Sequence, residues 1–161
     1  MRGPRTRPLS GENQNINLGA LVEECLLSFS TQLGKGRISC EFVRPTAAVP
    51  PVVGNRALAN QALANIISNA IEAMPDGGCL RLAVQSEARS RCVRLVVTDT
   101  GSGMSPAELD LVFKPYYTTK RNGLGLGMAL VKRIMERFEG AISLYSRKGE
   151  GTRVSLTFKA A

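Results

Sequence analysis

The sequence predicts an α+β fold: a mixed, largely antiparallel sheet with helices packed on one face. Three observations lead there. Residues 79–86 and 91–98 form one adjacent pair of strand-like segments, and 141–146 and 152–159 form a second pair around the Gly149-Glu150-Gly151 turn. Strands joined by short turns pair antiparallel, whereas a doubly wound parallel sheet needs a long crossover between neighbours. Segments with helical apolar spacing separate these pairs, and the run Val93 to Val97 is apolar enough to lie centrally in a sheet.

The elements follow in order. Asn17 can cap a helix over 18–32, with Leu21, Val22, Cys25, Leu26 and Phe29 on one face and Gly34 and Gly36 at its end. Arg37 to Val43 alternates as a half-buried strand does, and Pro45 to Pro51 is a turn-rich connection. Asn55 caps a long helix ending near Met74, where Pro75-Asp76-Gly77-Gly78 stops it. Ser105-Pro106-Ala107-Glu108 is a capping box with proline at the first helical position, opening a short helix to about Phe113. A last helix spans 127–138 and stops at Gly140.

Composition narrows the function classes. A chain of 161 residues suits one domain with a sizeable core, and no apolar run approaches the ~20 residues of a membrane span. Residues 1–15 are expected to be a disordered tail or linker remnant, and 16–161 the folded domain. Met1 to Ser10 is rich in Arg and Pro and lacks the apolar stretch of a secretory signal. Cys25, Cys40, Cys79 and Cys92 show no CxxC pairing and are expected to be free thiols in a reducing cytoplasm. Net charge is +8, but three of those charges (Arg2, Arg5, Arg7) lie in the tail and no basic stripe interleaves with aromatics. That argues against nucleic acid as partner and leaves an anionic ligand or acidic surface. The chain contains no histidine.

Three groups of residues can carry chemistry. Asn65 and Asn69 are four apart, so both leave one face of the long helix. An amide oxygen completed by phosphates and water can hold Mg²⁺, a hard ion; the alternative is a pair of polar surface positions. Asp99 follows a buried-type strand and precedes Gly101 and Gly103. It can accept the amino group of adenine while the glycines let backbone approach the ring; the alternative is an ordinary turn aspartate. Gly123, Gly125 and Gly127 precede a helix whose exposed amides favour phosphate, with Lys120 in reach of the terminal phosphate or simply solvated. This pattern is neither a P-loop nor a dinucleotide fingerprint.

In this order the pieces resemble the ATP-binding catalytic domain of sensor histidine kinases, within the gyrase, chaperone, kinase and mismatch-repair ATPase superfamily. The resemblance covers about 17–159. The asparagine box is similar to Asn60 to Ala73, the first glycine box to Asp99 to Met104, and the phenylalanine box to Val112 to Lys120. The second glycine box is similar to Gly123 to Val131, and the terminal box to Gly149 to Thr152. The Thr118-Thr119-Lys120 lid and Glu72 look most like nitrogen-regulator-type kinases.

The resemblance implies a two-layer α/β sandwich of the Bergerat type with ATP between helices and a lid over 105–126. It implies that Asn69 binds Mg²⁺, that Asn65 orients phosphates, and that Asp99 binds the adenine amino group with Thr152 nearby. Gly101 and Gly103 would line the base. Lys120, Gly123, Gly125, Leu126 and Gly127 would meet the phosphates. It further implies a cytoplasmic, monomeric catalytic domain that touches no membrane. Its partners would be a histidine-bearing dimerisation domain and a downstream response regulator.

The acceptor histidine must lie outside these residues, so the chain is an excised domain or a module acting on a partner's histidine. Rival readings are an ATP-hydrolysing clamp, an anti-sigma-factor-type serine kinase and a non-catalytic nucleotide-binding regulator. The first two usually carry a glutamate where this chain has Asn65.

Overall fold

The fold is seen in a computed structural model, which describes residues 13–114 and 127–161. The elements are β1 (Gln14–Ile16), α1 (Leu18–Ser28), α2 (Ser30–Lys35), β2 (Ile38–Val43), β3 (Val52–Gly54) and α3 (Arg56–Glu72). They continue with β4 (Gly78–Glu87), β5 (Cys92–Asp99), α4 (Pro106–Leu111), α5 (Gly127–Arg137), β6 (Ala141–Arg147) and β7 (Gly151–Lys159).

A five-stranded sheet in the order β2-β4-β5-β7-β6 forms one layer. Among the described residues, β2–β4 is the one parallel pairing in this sheet and the others are antiparallel. The expected mixed, mostly antiparallel sheet is therefore present, with the apolar β5 at its centre. Strand alternation decides what each face meets. Leu80, Leu82 and Val84 of β4, Val93, Leu95 and Val97 of β5, and Val154, Leu156 and Phe158 of β7 are buried on the inner face. Helices α1, α3 and α5 pack there, and Leu63, Ile67 and Ala70 of α3 lie in the same core. On the outer face, Tyr145 lies beneath the guanidinium groups of Arg147 and Arg153, at 5.8 and 5.3 Å from the ring centre. Among the described residues no helix is long and apolar enough to cross a membrane.

Local chemistry explains the helix ends. Asn17 Oδ1 accepts from Ala20 N at 3.1 Å, and Asn55 Oδ1 from Leu58 N at 3.1 Å, so both expected caps are made. The capping box opening α4 is also made, Ser105 and Glu108 each accepting the other's backbone N–H. Lys148 beside Glu108, at 3.1 Å, holds that carboxyl below its ordinary range.

Two expectations are corrected. The helix expected over 18–32 breaks after Ser28, where the Ser28 hydroxyl bonds the Cys25 carbonyl at 2.6 Å, and resumes as α2 with Gly34 inside it. A serine hydroxyl that competes for backbone carbonyls weakens a helix locally, and the break seats both Phe29 and Leu33 against the core. The second correction is the extra pair of strands. β1 begins at Gln14, inside the stretch expected as tail, and pairs antiparallel with β3 in a two-stranded sheet. Ile16 and Val52 are buried by this pairing. Ala160 bridges to Val52, and Ala161 N donates to the Pro51 carbonyl at 2.8 Å, so three distant stretches meet there.

All four cysteines are free thiols, and burial pushes the Cys25 thiol up to about 11. Thiol titration in denaturant without reductant should therefore count four groups, and in the folded protein Cys25 should react last. Leu82, wholly buried in the sheet, provides the packing test: Leu82→Ala should cost about 2–5 kcal/mol in urea unfolding.

Candidate functional site

The inner face of the sheet is apolar except at one end. There Asp99 of β5, Thr152 of β7 and Ser146 of β6 stand side by side in register. Asp99 and Ser146 are buried, as is seldom the case for a carboxylate without partners. Asp99 Oδ1 accepts from Gly101 N at 2.8 Å and from Thr152 N at 3.3 Å. Burial pushes the Asp99 carboxyl above its ordinary 3.8, and these two amide bonds oppose that rise.

The loop after Asp99 is laced to its surroundings through positions that tolerate little but glycine. A Cβ on Gly101 would stand 2.6 Å from the Ala73 carbonyl oxygen, which already accepts from Ser102 N at 3.0 Å. Gly103, at φ +66°, would drive a Cβ into the Arg147 carbonyl, and Gly151, at φ +98°, into the Asp99 carbonyl. The loop thus lies flat against the last turn of α3 on one side and the β6–β7 turn on the other. Gly149 N closes it by donating to the Ser102 carbonyl at 2.6 Å.

Ala73 also connects this end of the sheet to the asparagines. Its N–H donates to the Asn69 carbonyl at 3.0 Å, one turn back along α3. Asn65 and Asn69 are half-buried between the buried Ile66, Ile67 and Ala70. Gly127, the first residue of α5, abuts the Asn69 side chain; a Cβ there would be 3.7 Å from Nδ2. An α5 of 11 residues therefore presents its N-terminus, the anion-favouring end, beside an amide oxygen suited to a hard cation.

The structure thus brings Asp99, Gly101, Gly103 and Thr152 together at one end of the sheet, and Asn69 against Gly127, with Asn65 one turn earlier on α3. Lys120, Gly123, Gly125 and Leu126 lie outside the described residues, as does the lid beyond 114. Among the described residues no group of three or more His, Cys, Asp or Glu is placed to hold a metal ion. Sequence reasoning missed Ser146. The signal was present: Ile142, Leu144 and Ser146 alternate onto the inner face of β6, and a hydroxyl at an inward position needs a partner.

Residues 54–161 match the family described as histidine kinase-, DNA gyrase B-, and HSP90-like ATPase. The chain belongs to that family. It is 31% identical over 143 residues to the sensor histidine kinase ZraS of Escherichia coli K12, covering 89% of this chain and 30% of that protein. It is 32% identical over 152 residues to the signal transduction histidine-protein kinase AtoS of the same strain, covering 94% of this chain and 24% of that one. The chain therefore spans under a third of these relatives' length. The catalytic domain of histidine kinase ThkA superimposes with a TM-score of 0.83 at 25% identity, covering 93% of this chain and 97% of that one. Full-length ShkA in complex with AMPPNP shares the fold at a TM-score of 0.83 and 22% identity, over 95% of this chain and 32% of that one. The expected α+β ATP-binding domain of a sensor histidine kinase is thus the one found.

Two tests follow from this geometry. Gly103→Ala should destabilise the loop by about 1 kcal/mol or more from its positive φ alone, with the collision adding to that, read as a lowered urea midpoint. For Asp99, the folded carboxyl is raised above its unfolded value. Its cost to the fold is absent below pH 3.8 and fully present once pH passes the raised folded value. The stability of Asp99→Asn relative to the parent chain should therefore rise across that window and level off above it, as measured by urea unfolding at stepped pH.

Proposed function

We propose that this chain binds Mg-ATP and transfers the γ-phosphoryl group to a histidine carried on a separate dimerisation domain, which in turn serves a response regulator. The observation that supports this most is the buried Asp99 carboxylate standing in a polar row beside a glycine loop. Both described amides that reach Asp99 land on Oδ1, which leaves Oδ2 as the acceptor for an adenine amino group. Gly101 and Gly103 keep side-chain bulk out of the base site.

At the phosphate end, the Asn69 amide suits Mg²⁺ and Asn65, one turn earlier, suits a phosphate oxygen. Gly127 opens α5 with amides for the same phosphates. Lys120, Gly123, Gly125 and Leu126 of the lid would complete the phosphate contacts. When bound, Mg²⁺ supplies charge neutralisation at the phosphates. The chain's own residues bind, orient and exclude water, which is most of what phosphoryl transfer requires of a protein. An amide at Asn65 cannot take a proton from water, so this site favours transfer over hydrolysis. The chain has no histidine of its own, so the acceptor comes from elsewhere. Transfer in trans then requires only that the acceptor imidazole reach the terminal phosphate.

The decisive experiment follows γ-labelled ATP incubated with this chain and Mg²⁺, with and without a histidine-bearing dimerisation domain from a related kinase. Acid-labile label on the added domain, with little free phosphate from the chain alone, is expected. Rapid phosphate release by the chain alone would make it an ATPase instead. Asn69→Ala should abolish transfer while the protein still melts cooperatively. Asp99→Asn should weaken ATP binding by about tenfold or more, the worth of a hydrogen bond to a charged acceptor, read by equilibrium titration.

A further inference from the structure

We propose that Ser146 is a positioning residue that sets the hydrogen-bond polarity of the base site and so its preference for a 6-aminopurine over a 6-oxopurine. The inference rests on the assignment of Asp99 and Thr152 to the base. The Ser146 hydroxyl has three neighbours: the Gly151 carbonyl at 2.9 Å, Met104 N at 2.8 Å and Thr152 Oγ1 at 2.8 Å. A serine hydroxyl has one proton and two lone pairs. The Gly151 carbonyl can only accept, so the Ser146 proton goes there. The Met104 N–H can only donate, so it takes one lone pair. The second lone pair faces Thr152, and two oxygens at 2.8 Å need a proton between them. That proton is Thr152's.

The consequence falls on Thr152. With its proton committed to Ser146, Thr152 Oγ1 offers only lone pairs to anything else. Its neighbour in the row, Asp99, offers only carboxylate lone pairs when ionised. The base site therefore presents acceptors, directly or through a water they orient. A 6-amino group donates to acceptors; a 6-oxo group brings a lone pair against them and is rejected. Specificity of this kind arises from mismatched polar groups rather than from bulk. Removing the Ser146 hydroxyl frees the Thr152 hydroxyl to rotate and donate, which relaxes the discrimination.

The test is equilibrium binding of Mg-ATP and Mg-GTP to this chain, Ser146→Ala, Thr152→Val and the double variant. Ser146→Ala is expected to weaken ATP roughly tenfold with under about twofold change for GTP, a hydrogen-bond-sized effect. Thr152→Val should do the same, and the double variant should be no worse than Thr152→Val, because the first residue acts through the second. Ser146→Thr, which keeps a hydroxyl, should restore the ATP-to-GTP ratio. An unchanged ratio in a Ser146→Ala protein of native melting behaviour overturns the proposal, as do additive losses in the double variant. If Ser146→Ala does not fold, an unchanged ratio in Thr152→Val overturns it alone. Failure of the parent chain to bind ATP would instead remove the base assignment itself.

Discussion

Asp99 is the constraint around which this end of the molecule is arranged. A carboxylate at the inner end of a central strand is costly to bury, and the structure offsets that cost with two backbone amides on one oxygen. One amide belongs to the glycine loop and the other to β7. The same two bonds that solvate the charge therefore tie the loop to the sheet. They hold the loop low over the last turn of α3, where Gly101 meets the Ala73 carbonyl. The proposed role of Asp99 and local stability pull in opposite directions here, since the raised carboxyl reports a cost that an uncharged side chain would avoid.

The core explains why that arrangement stays put. The sheet presents aliphatic side chains from β4, β5 and β7 to α3, whose buried Leu63, Ile67 and Ala70 fix its rotation. With that rotation set, the Asn69 side chain meets the first residue of α5, Gly127. The packing of α3 in the core thus sets where Asn69 meets the start of α5. The base end depends instead on a hydrogen-bonded row across three strands. Two unlike devices thus order the two ends of the proposed nucleotide site.

Much of this was visible in the order of residues. The paired strands, the caps at Asn17 and Asn55, and the capping box at Ser105 all rest on local rules of spacing and hydrogen bonding, and those rules act within a few residues. The motifs Asn65 to Asn69 and Asp99 to Gly103 carried the candidate site for the same reason: each is contiguous. β1 and β3 were not legible because each is three residues long. Neither has a period to detect, and each exists only because the other supplies its hydrogen bonds. The break at Ser28 was hidden because the apolar spacing runs through it.

By itself the sequence determined the fold class and the family, and named the groups proposed to hold a nucleotide, because alternation, caps and contiguous motifs are local properties. Tertiary structure alone decided what those groups do to one another. Register between β5, β7 and β6 placed Asp99, Thr152 and Ser146 in one row, and register is a relation between distant segments. It also decided that the hydroxyl of Ser146, unremarkable in the chain, has three polar neighbours and one proton to give. A hydrogen-bond network has a direction only when all its members are in place, and only folding puts them there.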